Sequence, residues 1–427
     1  MELILSTIYL IIFGALLLRI PLVRDSGLSA PLLMLLFGSK VFAGIIYGSI
    51  HTLAFGADTW GYFKYGELVF KSLGDRPQDF LYMVFLPLDY PAPAHLAETA
   101  EHISTWKDPS AYFLVRLQAL IRIFSFGYYS IHVIVWNFLS MIGLVALYRF
   151  MTIQFPSRNG LLLLFLFFLP GLTFWMSGVH KEGFCLFLLG LFCWKMYQLK
   201  EGKAVVSSLI FLILAGLFLV FVRSYLLILL LPAALCYLLF RNSEQFTAAK
   251  FAVTYLVLAA LGLLLMPALG GVNILEYMVV TQHNFVKHYF GNSDFSMPLL
   301  EATVSSFANA SPAALMNTFF RPFPQDVSNW RLLLAFIDNG LFWFFTGGLL
   351  LGTRKEYLKN AAVWCFCFFF AMSLFLLIGL MVDNSGAIVR YRVLAHLFFI
   401  SFAWSISKGF QMPFQESLES FAYKKDE

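Results

Sequence analysis

Charge is the first thing this chain has little of. Asp, Glu, Lys and Arg make up 12% of the 427 residues, against 60% hydrophobic residues, and the mean hydropathy is +0.78. A soluble domain is roughly 45–50% apolar. No aqueous core could hide this much apolar surface, so most of the chain is expected to face lipid. Cysteine is sparse too. Cys185, Cys193, Cys236, Cys365 and Cys367 all fall in apolar stretches without metal-ligand company, which suits small buried hydrophobes rather than a thiolate site. No metal and no cofactor is indicated, a divalent cation being left open. The net charge is only +5 and the basic residues are scattered. No basic block interleaved with aromatics occurs, so nucleic acid is not an expected partner. Internal repeats and low-complexity tracts are also lacking. Glu2 stands where a cleaved signal would carry a basic region, so residues 3–20 are read as a retained helix. Runs such as LLLLFLFFLP (161–170) and LLILLLP (226–232) lack the alternation of a membrane β-barrel, and a helical bundle is left.

What is present is an all-α, polytopic membrane pattern. Apolar windows of about 20 residues, the length a spanning helix needs, fall near 3–20, 29–50, 128–149, 159–176, 182–198, 204–222, 224–240, 249–269, 331–352, 359–381 and 389–407. They predict about eleven transmembrane helices in one membrane domain, 1–408, with a short cytoplasmic tail, 409–427. With that count the basic residues Arg19/Arg24, Arg149/Arg158, Lys195/Lys200/Lys203, Arg241/Lys250, Arg354/Lys355/Lys359 and Lys408/Lys424/Lys425 share one side. The positive-inside tendency makes that side cytoplasmic. The N-terminus is then outside and the C-terminus inside, in the cytoplasmic membrane. Lys40, within the second window, is the misfit, and it should snorkel or pair inside the bundle. The outer face receives two long segments, 51–127 and 270–330. The first holds an extended stretch, FLPLDYPAPAH (85–95), and a segment over 110–126 where Arg116, Gln118 and Arg122 interrupt apolar sequence. That segment reads as an interfacial helix.

The densest polar stretch is HTLAFGADTWGYFKYGELVFKSLGDR (51–76). Asp58, at the lipid boundary, can take a proton from an incoming hydroxyl; it equally suits the cap of a helix starting at Thr59. Lys64, Glu67 and Lys71 have the spacing of helix-face ion pairs. FWMSGVHKEG (174–183) is the second cluster, an outer turn after Pro170–Gly171. Ser177 is a candidate cap, and Glu182 suits the positive end of a helix dipole. His180 and Lys181 point toward the outer interface. The turn is either a capped, ion-paired hairpin or a phosphate contact. Arg223, Arg390 and Arg392 stand at outer helix entrances, against the positive-inside tendency. Their planar guanidinium suits phosphate oxygens, whether of a lipid-linked donor or of ordinary headgroups. Arg321, His283, Lys287 and His288 are further candidates, the histidines making a poor metal site.

GADTWGYFKYG (56–66), the FWxSGxxKE string at 174–182 and the Arg223 and Arg390-Tyr-Arg392 entrances resemble the GT-C superfamily of integral membrane glycosyltransferases. The first resembles the G-D-T-x-x-Y style of first loop in bacterial envelope proteins of this type, with Ala57 intervening between Gly56 and Asp58. The resemblance implies transfer of a sugar from a polyprenyl-phosphate or polyprenyl-diphosphate donor to a glycan or lipid acceptor at the outer face. It implies Asp58 as general base, with Arg223, Arg390, Arg392 and Lys181 holding the donor phosphate. Family members often place the acidic loop after their first helix, whereas here an extra helix precedes it. Two alternatives stay open. An O-antigen or exopolysaccharide polymerase would lean on Arg321, Arg390 and Arg392. A lipid-linked sugar flippase or transporter would need ionisable residues in mid-membrane.

Overall fold

The computed structural model describes every residue except 53–57, 90, 156–158, 241–242, 244, 269, 272, 289–292, 353–359, 408–422 and 424–427. Gly56 and Ala57 of the first-loop motif therefore lie outside the described residues. So do the basic loop residues Arg158, Arg241, Arg354, Lys355, Lys359, Lys408, Lys424 and Lys425, nearly all of the tail, and the side chain of His288.

The described chain is helical, as its long apolar runs require. In order it forms α1 (Glu2–Arg19), α2 (Pro21–Arg24), α3 (Ala30–Thr52), α4 (Asp58–Asp75), α5 (Pro77–Phe85), α6 (Ala97–His102), α7 (Pro109–Ser125), α8 (Tyr129–Gln154), α9 (Asn159–Phe168) and α10 (Pro170–Trp175). It continues with α11 (Lys181–Lys200), α12 (Val205–Leu239), α13 (Thr247–Ala268), α14 (Ile274–His288), α15 (Val304–Phe320), α16 (Trp330–Leu351), α17 (Ala361–Met381), α18 (Ser385–Tyr391) and α19 (Val393–Ile406). Among the described residues no strand forms. Two isolated bridges occur among the described residues, Leu28 with Tyr423 and Asp294 with Asn384.

Seven described helices, α1, α3, α8, α12, α13, α16 and α17, are long and apolar enough to cross a membrane. The pair α18 and α19, bent by 52°, makes up to eight. The expected eleven are not reached, and the differences have local causes. The window 159–176 is two short helices, because Pro170 cannot continue the helix before it. The window 182–198 is helical as α11, but Lys181, Glu182, Lys195 and Lys200 dilute its apolar content. The windows 204–222 and 224–240 form one element, α12, broken at Arg223, whose φ of −156° and ψ of 82° are not helical. Its 35 residues would reach about 52 Å if straight, against a hydrocarbon core of about 30 Å.

The chain forms two compact units. One comprises 1–150, 173–227 and 413–427, and the other 151–172 and 228–412. Within the first, the C-terminal ends of α1, α8 and α11 come together. Arg149 donates to the Leu22 carbonyl at 3.0 Å and lies 4.4 Å above the Trp194 ring, so three of the expected basic loops do share an end. α8 and α11 pack backbone to backbone. A Cβ on Gly190 would sit 1.9 Å from the Gly143 carbonyl oxygen, a contact open only to glycine and typical of small-residue helix packing.

At the opposite end lies α7, close to the bounds expected for the interfacial helix. Pro109 suits its first position, and Asp108 Oδ1 accepts from the Ser110 and Ala111 N–H groups at 2.9 and 3.1 Å. α7 packs along α4. Its Gln118 is fully buried and meets His132 Nδ1 at 2.6 Å, while Ser125 Oγ meets His132 Nε2 at 2.8 Å. Its outer face leaves Ile123 and Phe124 exposed, beside the exposed Phe126 that follows it. In the second unit, α17 packs between α15 and α19, and Thr318 Oγ1 donates to the Phe375 carbonyl at 2.7 Å.

Candidate functional site

The turn between α10 and α11 is held through its own carbonyls. Lys40 Nζ reaches Ser177 Oγ at 3.1 Å and the Met176 carbonyl at 3.4 Å. Ser140 Oγ donates to the same Met176 carbonyl at 3.3 Å, Asn137 Nδ2 to the Ser177 carbonyl at 2.8 Å, and Trp136 Nε1 to the His180 carbonyl at 2.8 Å. All four side chains are buried. This resolves the misfit of Lys40: it pairs inside the bundle, with oxygens of the turn. Ser177 is not the cap of α11. Its hydroxyl donates back to the Thr173 carbonyl at 2.6 Å, and the extended residue before the helix is His180.

His180, Lys181 and Glu182 follow at the start of α11. His180 Nδ1 lies 2.6 Å from Glu182 Oε2, and Arg223 Nη2 lies 2.5 Å from Glu182 Oε1. Arg223 Nη1 also meets the Tyr225 hydroxyl at 2.8 Å. The Glu182 side chain is only 2% exposed, so its charge is balanced within the protein. The break in α12 at Arg223 leaves the Val222 carbonyl to accept from Ser110 Oγ at 3.1 Å, and Lys181 Nζ donates to that same hydroxyl. The starts of α7 and α11 and the break in α12 thus meet at one place.

Asp58 is an exposed residue in the first turn of α4. The helix is fixed there by Thr59 Oγ1 against the Tyr129 hydroxyl at 2.7 Å and by Trp60 Nε1 donating to the Gly48 carbonyl at 2.9 Å. The charge of Asp58 acts on Lys181. Burial and then Arg223 pull the Lys181 pKa below the ordinary lysine value, while Asp108, Glu182 and Asp58 act the other way.

The remaining candidates divide. Glu67 pairs with Lys71 at 3.2 Å, as its spacing suggested, and with Arg122 at 2.8 Å; Lys64 is exposed. In the second unit Arg392 is 1% exposed and donates to the Thr318 carbonyl at 3.0 Å and to the Arg321 carbonyl. Arg321 Nη1 binds both Asp326 oxygens, at 2.8 and 2.7 Å, with its guanidinium 3.6 Å over the Phe295 ring. Arg390 Nη2 donates to the Tyr391 hydroxyl at 3.1 Å. His283 and Lys287 lie one turn apart on α14, Lys287 exposed. The structure therefore gathers Asp58, His180, Lys181, Glu182 and Arg223 within the first unit, and Arg321 and Arg392 within the second.

Sequence reasoning passed over Asp338, in the apolar helix α16. Its Oδ1 accepts from the Gly171 N–H at 2.7 Å, and its charge acts on Arg392. It also passed over His396, stacked on Phe342 with ring centroids 3.7 Å apart. A lone ionisable residue in an apolar window was the available signal for both, as it was for Lys40. Among the described residues no group of three His, Cys, Asp or Glu side chains is placed to hold a metal ion. No protein-family model, no curated protein and no solved structure matches the chain.

Proposed function

We propose that this chain is an integral membrane glycosyltransferase. It moves a sugar from a polyprenyl-phosphate or polyprenyl-diphosphate donor to a glycan or lipid acceptor at the outer face of the cytoplasmic membrane, with the N-terminus outside and the C-terminus inside. The observation that carries this reading is the ammonium of Lys181, held on Ser110 where α7 and α11 begin and beside the break in α12, in the same unit as the exposed carboxylate of Asp58 that opens α4. Asp58 is the general base that takes the acceptor's proton as its oxygen attacks the anomeric carbon. The carbon–oxygen bond to the donor phosphate breaks, and the phosphate leaves with the electron pair. Glu182 already balances Arg223, and Asp108 already accepts from the N–H groups that open α7. Lys181 is therefore the cation for the leaving phosphate. An ammonium has three donors, and Ser110 takes one. A charge placed in advance where negative charge develops lowers the barrier without reorganisation.

The polymerase reading rests on Arg321, Arg390 and Arg392. Two of these guanidiniums are committed, to Asp326 and to the carbonyls of Thr318 and Arg321, which weighs against it. Transport of a lipid-linked sugar is the second reading, because Asp338 and His396 supply ionisable groups within apolar helices and Arg392 supplies one at the bend between α18 and α19. Asp58→Asn separates the two. In reconstituted vesicles it should lower sugar transfer from a polyprenyl-linked donor by about 10²–10⁴-fold, the usual share of a general base, with thermal stability unchanged. Retained transfer sinks the base assignment, and lipid-linked sugar crossing the bilayer without transfer favours the transporter.

A further inference from the structure

The far end of α4 carries a second polar site. Between the last turn of α4, the first turn of α5 and α6 lies an open crevice of about 490 Å³, within the 300–1,000 Å³ range of small-ligand sites. Asp75, Asp79 and Glu98 line it, and so do Lys71, Arg76, His95 and His102. Asp79 is 8% exposed, and its Oδ1 lies 3.4 Å from His95 Nε2. His102 Nδ1 meets the Glu98 carbonyl at 2.7 Å. The hydroxyl of Ser72 is fixed on the Val69 carbonyl at 2.6 Å, which orients its oxygen as an acceptor, and Thr99 completes the polar wall.

The lining selects a ligand class. Three carboxylates disfavour a phosphate or another anion. Two permanent cations, and no trio of ligating side chains among the described residues, disfavour a metal ion. Leu68 and Leu96 are the apolar contributors, too few for an acyl chain. A neutral molecule that donates and accepts through many hydroxyls matches a wall of alternating acceptors and donors, since each hydroxyl offers one proton and two lone pairs. We propose that this crevice binds a sugar residue of a neutral glycan. Asp58 and Asp75 are the two ends of α4, about 25 Å apart at 1.5 Å per residue. A glycan held in the crevice by one of its sugars would lie along α4 with its growing end toward Asp58. That second statement, the crevice as a distal acceptor subsite, rests on the glycosyltransferase reading; the binding of sugar does not.

The test uses the full chain in detergent micelles and saturation-transfer NMR with neutral trisaccharides of glucose, mannose and N-acetylglucosamine as probes. At least one should receive saturation. Glu98→Gln, which keeps the shape and removes a charged acceptor, should weaken it on the order of tenfold. Thr99→Trp, which fills the crevice, should abolish it. Asp58→Asn should leave it unchanged, although the same variant loses transfer. No saturation of any probe, or a signal indifferent to both crevice variants, overturns the proposal. Binding with the expected variant pattern but no transferase activity leaves the crevice standing and removes the glycosyltransferase reading. Transfer whose acceptor dependence ignores both crevice variants removes the subsite and leaves that reading intact.

Discussion

Glu182 and Arg223 show how one residue can carry two consequences. Both were legible as candidates, because a charge at a helix entrance interrupts an apolar pattern. Their commitment to each other was not, since they are 41 positions apart and only the fold sets their distance. With the Arg223 side chain 11% exposed and that of Glu182 2% exposed, removing Arg223 leaves the buried carboxylate to His180; breaking a buried pair costs up to about 3–5 kcal/mol. Arg223→Ala should therefore lower the free energy of unfolding, measured by denaturant titration, by about that amount before any effect on donor binding is read. A variant that keeps full stability and loses only donor affinity would show that the guanidinium serves the ligand rather than Glu182. Asp58 is the contrasting case. It is the first residue of α4 itself, one position earlier than the helix start expected at Thr59, and it is exposed. Ser177 was misassigned as a cap because capping depends on backbone geometry that residue type alone does not fix.

At the scale of elements, hydropathy was a good guide to where helices lie and a poorer one to how they end. Every apolar window became helix, but Pro170 and Arg223 decided where helices break, and charge at both ends of α11 decided that it falls short of a spanning composition. The close approach of α8 and α11 was not legible, because Gly143 and Gly190 resemble any other glycines in an apolar run. It has a direct test. Gly190→Ala places a methyl where the Gly143 carbonyl now sits and should destabilise by about 1–3 kcal/mol, the usual cost of overpacking. Gly347→Ala, on α16, meets nothing within 4 Å and should be neutral or stabilising by about 0.5–1 kcal/mol. Thermal unfolding followed by tryptophan fluorescence separates them, and equal midpoints for the two variants would contradict the packing argument.

At the scale of the whole chain, both long segments, 51–127 and 270–330, form helices of their own, α4 to α7 and α14 to α15. The first long segment supplies α4, which opens at Asp58, and the short helices α5 and α6, which with the last turn of α4 line the crevice. Lys40 extends the matter to biogenesis. An ammonium near the centre of a spanning helix costs about 2.5–3.5 kcal/mol at insertion, yet its oxygen partners at Met176 and Ser177 are synthesised some 136 residues later. α3 on its own should integrate poorly into microsomal membranes, as read by glycosylation mapping, and Lys40→Leu should raise that integration while lowering the folded yield of the full chain. Equal integration of the two isolated segments would argue against this. Otherwise α3 becomes a stable resident of the bilayer only once the 176–180 turn has been made and its oxygens reach Lys40.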